Sequence, residues 1–428
     1  MKVIILADAP AALTELCGVS MIERLLRTLQ RVGVQRAVIV SRTPDEIGSA
    51  LAQPSPPRSE IRFTIETVEA GAVTREAFGN VALEGEMLLV LPGDAVWDER
   101  LLRLLLSQRE EAVLVDSAPA AAVQPLLAGI ARTNSGWLTG AAVLHTDKIT
   151  LLNALDDAVN DGRLRSVDIA AQPSYSLTAR RELRPLWIPA PPPEQRRQAE
   201  RLILDAAQKG ALDLPARVHG PIETFLVAHL CKTSITPNQM TAFCNVVAWA
   251  AAILFATGHL GWGAALALSV GILDGVDGKL ARVKVQTTTG GQLEHWLDKG
   301  YELAWAFALA YHFRASGALP GAFSYLLLFL AAEGVDGLAK LSVIRRYGRL
   351  IDELSPLDRA IRFLAGRRNI YVWILTVGLF VGAPAKAFVV IAWWEVASAV
   401  IHVLRALWVI VVRPIEFSAA RSPQSGYG

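Results

Sequence analysis

The spacing of apolar residues divides the chain into two halves. Up to about residue 217, short apolar runs alternate with helically spaced ones. Val3, Ile4, Ile5 and Leu6 form a continuous β-rich run, and Met21, Ile22, Leu25, Leu26 and Leu29 recur at helical spacing. Runs at 37–41, 87–91, 112–115 and 141–145 read as further strands, and 99–107 as a helix beyond the turn at Pro92, Gly93 and Asp94. Strands alternating with helices predict an α/β domain with a mostly parallel sheet covered on both faces.

A proline-rich break at 189–193 ends that pattern, and a charged helix follows at 194–208. Segment 213–234 carries Ile222, Phe225, Leu226, His229 and Leu230 on one stripe and reads as a helix lying along a membrane surface. Long apolar stretches then recur at 241–257, 260–280, 293–313, 319–344, 370–381 and 385–412. About 20 apolar residues cross a hydrocarbon core, so the second half predicts an all-α domain of six spans, the fifth of them short. Lys340, Arg345, Arg346, Arg349, Arg359, Arg362, Arg367 and Arg368 lie between spans four and five, and Arg282 and Lys284 between two and three. The opposite loops hold only Arg314 and Lys386. The positive-inside rule therefore puts both termini and the α/β domain in the cytoplasm, on an inner-membrane protein.

Composition narrows the reading little further. The net charge is only +2, with no global basic field to argue for nucleic acid. Cys17, Cys231 and Cys244 are too few and too widely spaced for a disulfide framework or a metal knuckle. The first apolar run meets Asp8 at once, which is not the form of a signal peptide.

The candidate chemistry lies at the end of the second span and the start of the third. Asp274 and Asp277 are three apart and share a helix face, while Glu294 and Asp298 are four apart on the next helix. A short polar turn joins the two helices, so four carboxylates can converge between antiparallel neighbours near the cytoplasmic boundary. Charges there are costly to insert and repel one another, and bound divalent cations resolve both problems. Oxygen ligands suit Mg²⁺ or Mn²⁺, and a pair of such ions suits a diphosphate substrate. Gly275, Gly278 and Ala281 clear one side of the helix, and Arg282 is placed to contact phosphate. Small residues alone would read equally well as helix packing.

This segment resembles the signature of the CDP-alcohol phosphotransferase family, Asp-x-x-Asp-Gly-x-x-Ala-Arg followed by Gly-x-x-x-Asp-x-x-x-Asp. Asp274, Asp277, Gly278, Ala281, Arg282, Gly290 and Asp298 match, with Glu294 where the family has Asp and a connecting loop one residue shorter. Thr236-Pro237-Asn238, followed by Thr241, resembles the family's entry to its first span. The resemblance implies that Asp274, Asp277 and Glu294 hold two metal ions, and that Asp298 is a ligand or the general base toward the acceptor hydroxyl. It implies substrate-binding roles for Asn238, Gly278, Ala281 and Arg282, and an acceptor-phosphate role for Arg367 and Arg368. The expected reaction moves a substituted phosphate from a CDP-linked donor to an alcohol, releasing CMP, in phospholipid or polyol-phosphate synthesis. Family members are commonly homodimeric through their membrane helices.

Val3–Ala7, the segment from Gly18 to Arg24, and Leu91-Pro92-Gly93-Asp94 resemble a sugar-phosphate nucleotidyltransferase. Its glycine-rich loop is replaced by Asp8-Ala9-Pro10-Ala11-Ala12-Leu13, so the domain is expected to be inactive, with Asp94 as a metal candidate. The fusion order is similar to that of the bifunctional inositol-phosphate cytidylyltransferase and di-inositol-phosphate-phosphate synthase group. The expected domains are 1–190, nucleotidyltransferase-like; 191–234, linker and juxtamembrane helix; 235–413, the six-span transferase; and 414–428, a tail. The contrasting reading is a non-catalytic membrane scaffold that binds a nucleotide or lipid.

Overall fold

A computed structural model of the chain describes residues 1–53, 55–67, 85–210, 213–286 and 291–412, with the backbone alone at 291–295 and 353. Two compact units are distinguished. One comprises 1–210, 224–237 and 276–289, and the other 211–223, 238–275 and 290–428.

The first unit is built on a sheet whose strands are β1 (Lys2–Leu6), β2 (Arg36–Ser41), β3 (Arg62–Thr67), β4 (Met87–Pro92), β5 (Ala112–Asp116), β6 (Arg132–Thr133), β7 (Gly136–His145) and β8 (Arg165–Asp168). They lie in the order β8-β5-β7-β4-β1-β2-β3, with β6 beside β7. Pairs β1–β2, β1–β4, β2–β3 and β5–β8 are parallel, and only β7 runs antiparallel to the strands on both its sides. The predicted, mostly parallel sheet is therefore present. Its central strands read as unbroken apolar runs because both faces are covered. Ile5, Ile39, Leu89 and Leu91 pack on one side, and Ile4, Val40, Leu88 and Val90 on the other.

Helix α1 (Met21–Arg31) buries Met21, Ile22, Leu25, Leu26 and Leu29, the stripe expected from its spacing. Its N-terminus is capped by Ser20 Oγ, which accepts from the Glu23 amide at 3.4 Å. Helices α2 (Pro44–Leu51), α3 (Glu99–Leu106), α4 (Leu155–Asn160) and α5 (Arg196–Ala206) complete the α/β part.

The helices that follow are α6 (Ala216–Leu230), α7 (Pro237–Ala256), α8 (Leu260–Val283), α9 (Gly291–Ala315), α10 (Ala322–Tyr347), α11 (Pro356–Leu364), α12 (Arg368–Phe380) and α13 (Pro384–Leu407). Each of the six expected spans falls on one of these. Among the described residues, three stretches are long and apolar enough to cross a membrane, α7, α8 and Pro384–Val412. Helix α12 has only 13 residues, and α10 carries Glu333, Asp336 and Lys340 along its length. On α6, Ile222 and Phe225 of the expected stripe are exposed, while Glu223 is buried. The second unit has its own core, from Cys244 and Phe255 through Tyr301, Trp305 and Phe313 to Phe388.

Candidate active site

In the second unit Asp274 sits on α8 and Asp298 near the start of α9, the predicted positions. The two helices meet through a third element. Arg368, the first residue of α12, sends one guanidinium nitrogen to Asp274 Oδ2 at 2.6 Å. Its other terminal nitrogen reaches the Tyr301 hydroxyl and lies 3.8 Å from Glu302 Oε1. Asp298 lies on α9 one turn before Tyr301 and Glu302, the two residues that this second nitrogen faces. Asp274, Tyr301 and Glu302 thus meet at one buried guanidinium, one turn from Asp298. Lys299 also pairs with Glu302, at 3.4 Å, so the three acids face two cations; their hard oxygens are the donor type that suits a divalent metal ion.

The same helix pair explains the glycines. A Cβ on Gly271 would come within 2.8 Å of Asn369 Oδ1 and 3.0 Å of the His219 ring, and one on Gly275 would strike the Glu223 carboxylate. Gly275 is therefore a close-approach position for α6, the packing role that small residues alone would indicate. Gly278 is different, since a Cβ there meets only an Arg282 nitrogen, at 3.4 Å. Asn369 donates to Asp213 Oδ2 at 3.2 Å, which ties α12 to the chain just before α6. Arg367 is half-buried at the N-terminus of α12, and Asn238 is exposed at that of α7.

Asp277, Gly278, Ala281 and Arg282 fall in the first unit. Asp277 is 3% exposed. Arg282, expected to contact phosphate, donates from Nε to the Ala207 carbonyl at 2.7 Å. Lys279 donates to Gln208 Oε1 at 2.7 Å and Thr224 Oγ1 at 2.6 Å. Glu294 lies on α9, but its side chain is outside the described residues, as is Gly290. Among the described residues no group of three or more His, Cys, Asp or Glu has metal-holding geometry.

Sequence reading missed Tyr301, Glu302 and Glu223. The first two lie one turn beyond Asp298, at i+3 and i+4, so helical periodicity was the available signal. Glu223 had none, because its place opposite Gly275 depends on packing.

In the α/β domain Asp94 follows Gly93, whose amide donates to the Leu6 carbonyl at 2.7 Å. A Cβ on Gly93 would lie 2.7 Å from that of Ala7, so only glycine fits this turn. Burial raises the Asp94 carboxyl above the ordinary range, its own backbone hydrogen bond opposes this, and the charge of nearby Asp8 adds to it. Asp8 is itself paired with Arg42, at 2.5 Å. In the segment that replaces the glycine-rich loop, the amides of Ala9, Ala12, Leu13 and Thr14 all donate within the protein, and Pro10 has none.

Residues 8–149 match the MobA-like NTP transferase domain, and residues 234–401 match CDP-alcohol phosphatidyltransferase. The chain is 25% identical over 210 residues to a bifunctional IPC transferase and DIPP synthase of Aquifex aeolicus, covering 48% of this chain and 47% of that one. It is 29% identical over 205 residues to the protein of that name in Rubrobacter xylanophilus, covering 47% and 44%. The matched region thus spans about half the length of these curated relatives. A solved structure of a phosphatidylinositol phosphate synthase from Mycobacterium tuberculosis with CDP-DAG bound matches 47% of this chain and 100% of its own, at 21% identity and a TM-score of 0.35. The two matched stretches thus resemble, in this order, a MobA-like NTP transferase domain and a CDP-alcohol phosphatidyltransferase.

Proposed function

We propose that the C-terminal domain is a membrane CDP-alcohol phosphotransferase, which moves a substituted phosphate from a CDP-linked donor to an alcohol and releases CMP. The observation that carries this reading is the Arg368 guanidinium bridging Asp274 of α8 and the Tyr301–Glu302 turn of α9, next to Asp298. The matched family supports the reaction class. The relatives' names favour polyol-phosphate synthesis over a lipid product.

In this proposal Asp274, Asp277 and Glu294 hold two Mg²⁺ or Mn²⁺ ions, with Asp298 as a further ligand or the general base. When bound, such ions neutralise diphosphate charge and stabilise the leaving CMP. Asp298 takes the proton of the acceptor hydroxyl, and its value there lies in placement against the donor phosphorus. Gly278 leaves the helix backbone open to close approach, while Ala281, Arg282 and Asn238 complete the nucleotide side. Arg367 and Arg368 stand on the acceptor side. Arg368 there both neutralises Asp274 and orients the Tyr301 hydroxyl, so an acceptor phosphate would compete with Asp274 for the same fork. The domain boundaries proposed are 1–190, 191–234, 235–413 and 414–428. The N-terminal domain and both termini are cytoplasmic, and the transferase is a homodimer.

The test is CMP release by purified protein with Mg²⁺ and a panel of CDP-alcohols. The wild type is expected to release CMP with some donor, and Asp298→Asn to lower the rate by at least about a hundredfold, the scale of a general base. A wild type that releases CMP from none of the panel overturns the reading.

A further inference from the structure

Helix α8, which carries Asp274 and Asp277, ends in a turn whose carbonyls can all be accounted for. A helix leaves its last carbonyls without intrahelical partners. Here the amide of Lys284 donates to Leu280 at 2.9 Å, that of Gln286 to Ala281 at 2.8 Å, and that of Val285 to Arg282 at 3.3 Å. This closing turn is the one that glycine usually makes, and Val285 makes it with φ +50°. A β-branched residue is strained in the left-handed region and stays there only where its surroundings hold it.

What holds it comes from the N-terminal domain. Arg24 donates to the Val283 carbonyl at 2.5 Å, Arg27 to Lys284 at 2.7 Å, and Arg31 to Gln286 at 2.8 Å. The three arginines are spaced i, i+3 and i+7, one face of α1. Arg24 is 3% exposed and also donates to Leu16 at 2.8 Å. Arg27 is braced by Glu23, and Arg31 by Glu99. Lys284 in turn donates to the carbonyls of Thr233 and Ile235, at 2.7 and 2.8 Å. Positive charge at a helix C-terminus also complements its dipole. Every residue in these contacts belongs to the first unit.

We infer that the arginine row of α1 is a clamp on the end of α8, and that through it the N-terminal domain positions Asp277 for the transfer reaction. The clamp gives a function to a nucleotidyltransferase-like domain in which the amides of Ala9, Ala12, Leu13 and Thr14 are already engaged. Asp277 lies six residues before Val283, about 9 Å along the helix axis, so a frayed end reaches it within two turns. Displacements of about 1 Å can lower a rate about a hundredfold. Arg24, Arg27 and Arg31 are positioning residues, and the reaction they serve is the one proposed above.

The test compares full-length wild type with Arg24→Met, with the double variant Arg27→Gln/Arg31→Gln, and with Arg27→Lys/Arg31→Lys. Hydrogen–deuterium exchange of residues 280–286 is expected to quicken at least tenfold in the first two, with 88–91 of β4 unchanged. For CMP release, kcat is expected to fall at least tenfold while KM for the CDP donor stays within twofold. The lysine pair, which can still donate to carbonyls, is expected to recover most of both losses. Unchanged exchange at 280–286 overturns the clamp, and faster exchange with unchanged kcat overturns the positioning role. Should Arg24→Met fail to fold, the double variant at the more exposed pair decides. A wild type without CMP release refutes the proposed reaction, and with it the positioning role; exchange then still decides the clamp.

Discussion

Arg368 holds Asp274, Tyr301 and Glu302 on the two ends of one planar fork, and its side chain is only 10% exposed. Its Nε has no hydrogen-bond partner among the described residues. Arginine suits this place because a delocalised cation can face several acceptors at once, which an ammonium ion on a flexible stem does less well. Removing one partner of a buried ion pair leaves the other charge uncompensated, at about 3–5 kcal/mol. Asp274 is a third exposed, so the lower end of that range applies. Arg368→Met is expected to lower the stability of the membrane domain by roughly 3 kcal/mol, read as a fall in the thermal midpoint in detergent. Arg368→Lys is expected to recover part of it. An unchanged midpoint in the methionine variant would show that the pair contributes nothing. The sequence made Asp274 and Asp298 legible through local spacing. It could not pair Asp274 with Arg368, because 94 residues separate them and only the packing of α12 closes that distance.

At the scale of elements, periodicity served well wherever one face of a helix or both faces of a strand are buried. The stripe on α1 and the apolar runs of β1 and β4 are the clearest cases. It served less well for the membrane helices, where apolar residues face both core and lipid and the ends carry little contrast. Helix α12 begins at Arg368, two residues before the expected start of its span. Helix α3 shows how a polar residue sets a boundary. Asp98 accepts from the Arg100 amide at 2.8 Å, and its backbone amide donates to Leu186 at 2.9 Å, next to the strand Trp187–Pro189. Asp98→Ala removes the cap and the charge facing Arg100, and is expected to cost about 1–2 kcal/mol. Denaturant unfolding of the N-terminal domain, followed by the fluorescence of the Trp97–Trp187 pair, would measure it. Asp98→Asn keeps an oxygen acceptor and should lose well under half as much. Equal losses in the two variants would assign the effect to charge rather than to capping.

At the scale of the whole molecule, the proposed inactivity of the N-terminal domain rests on the segment that stands where its resemblance calls for a glycine-rich loop. A triphosphate needs backbone amides turned toward it and cations beside it. From Ala9 to Thr14, four amides donate inward and Pro10 has none. Arg42, on the next strand's end, is already paired with Asp8. Asp94 keeps its place at the strand end, where burial raises its carboxyl above the ordinary range and its own backbone hydrogen bond opposes this. The parallel sheet and α1 are intact, and α1 has the arginine row that engages α8. The full-length protein is therefore expected to make no CDP-alcohol of its own. With CTP, Mg²⁺ and a panel of polyol phosphates it should release no pyrophosphate above a blank, while preformed CDP-alcohol supports CMP release in the same preparation. Supplying a separate cytidylyltransferase in that mixture should then restore flux from CTP to product. Pyrophosphate release by the protein alone, abolished by Asp94→Asn, would instead show that the first domain still activates its substrate, with a phosphate cradle that forms only when nucleotide binds.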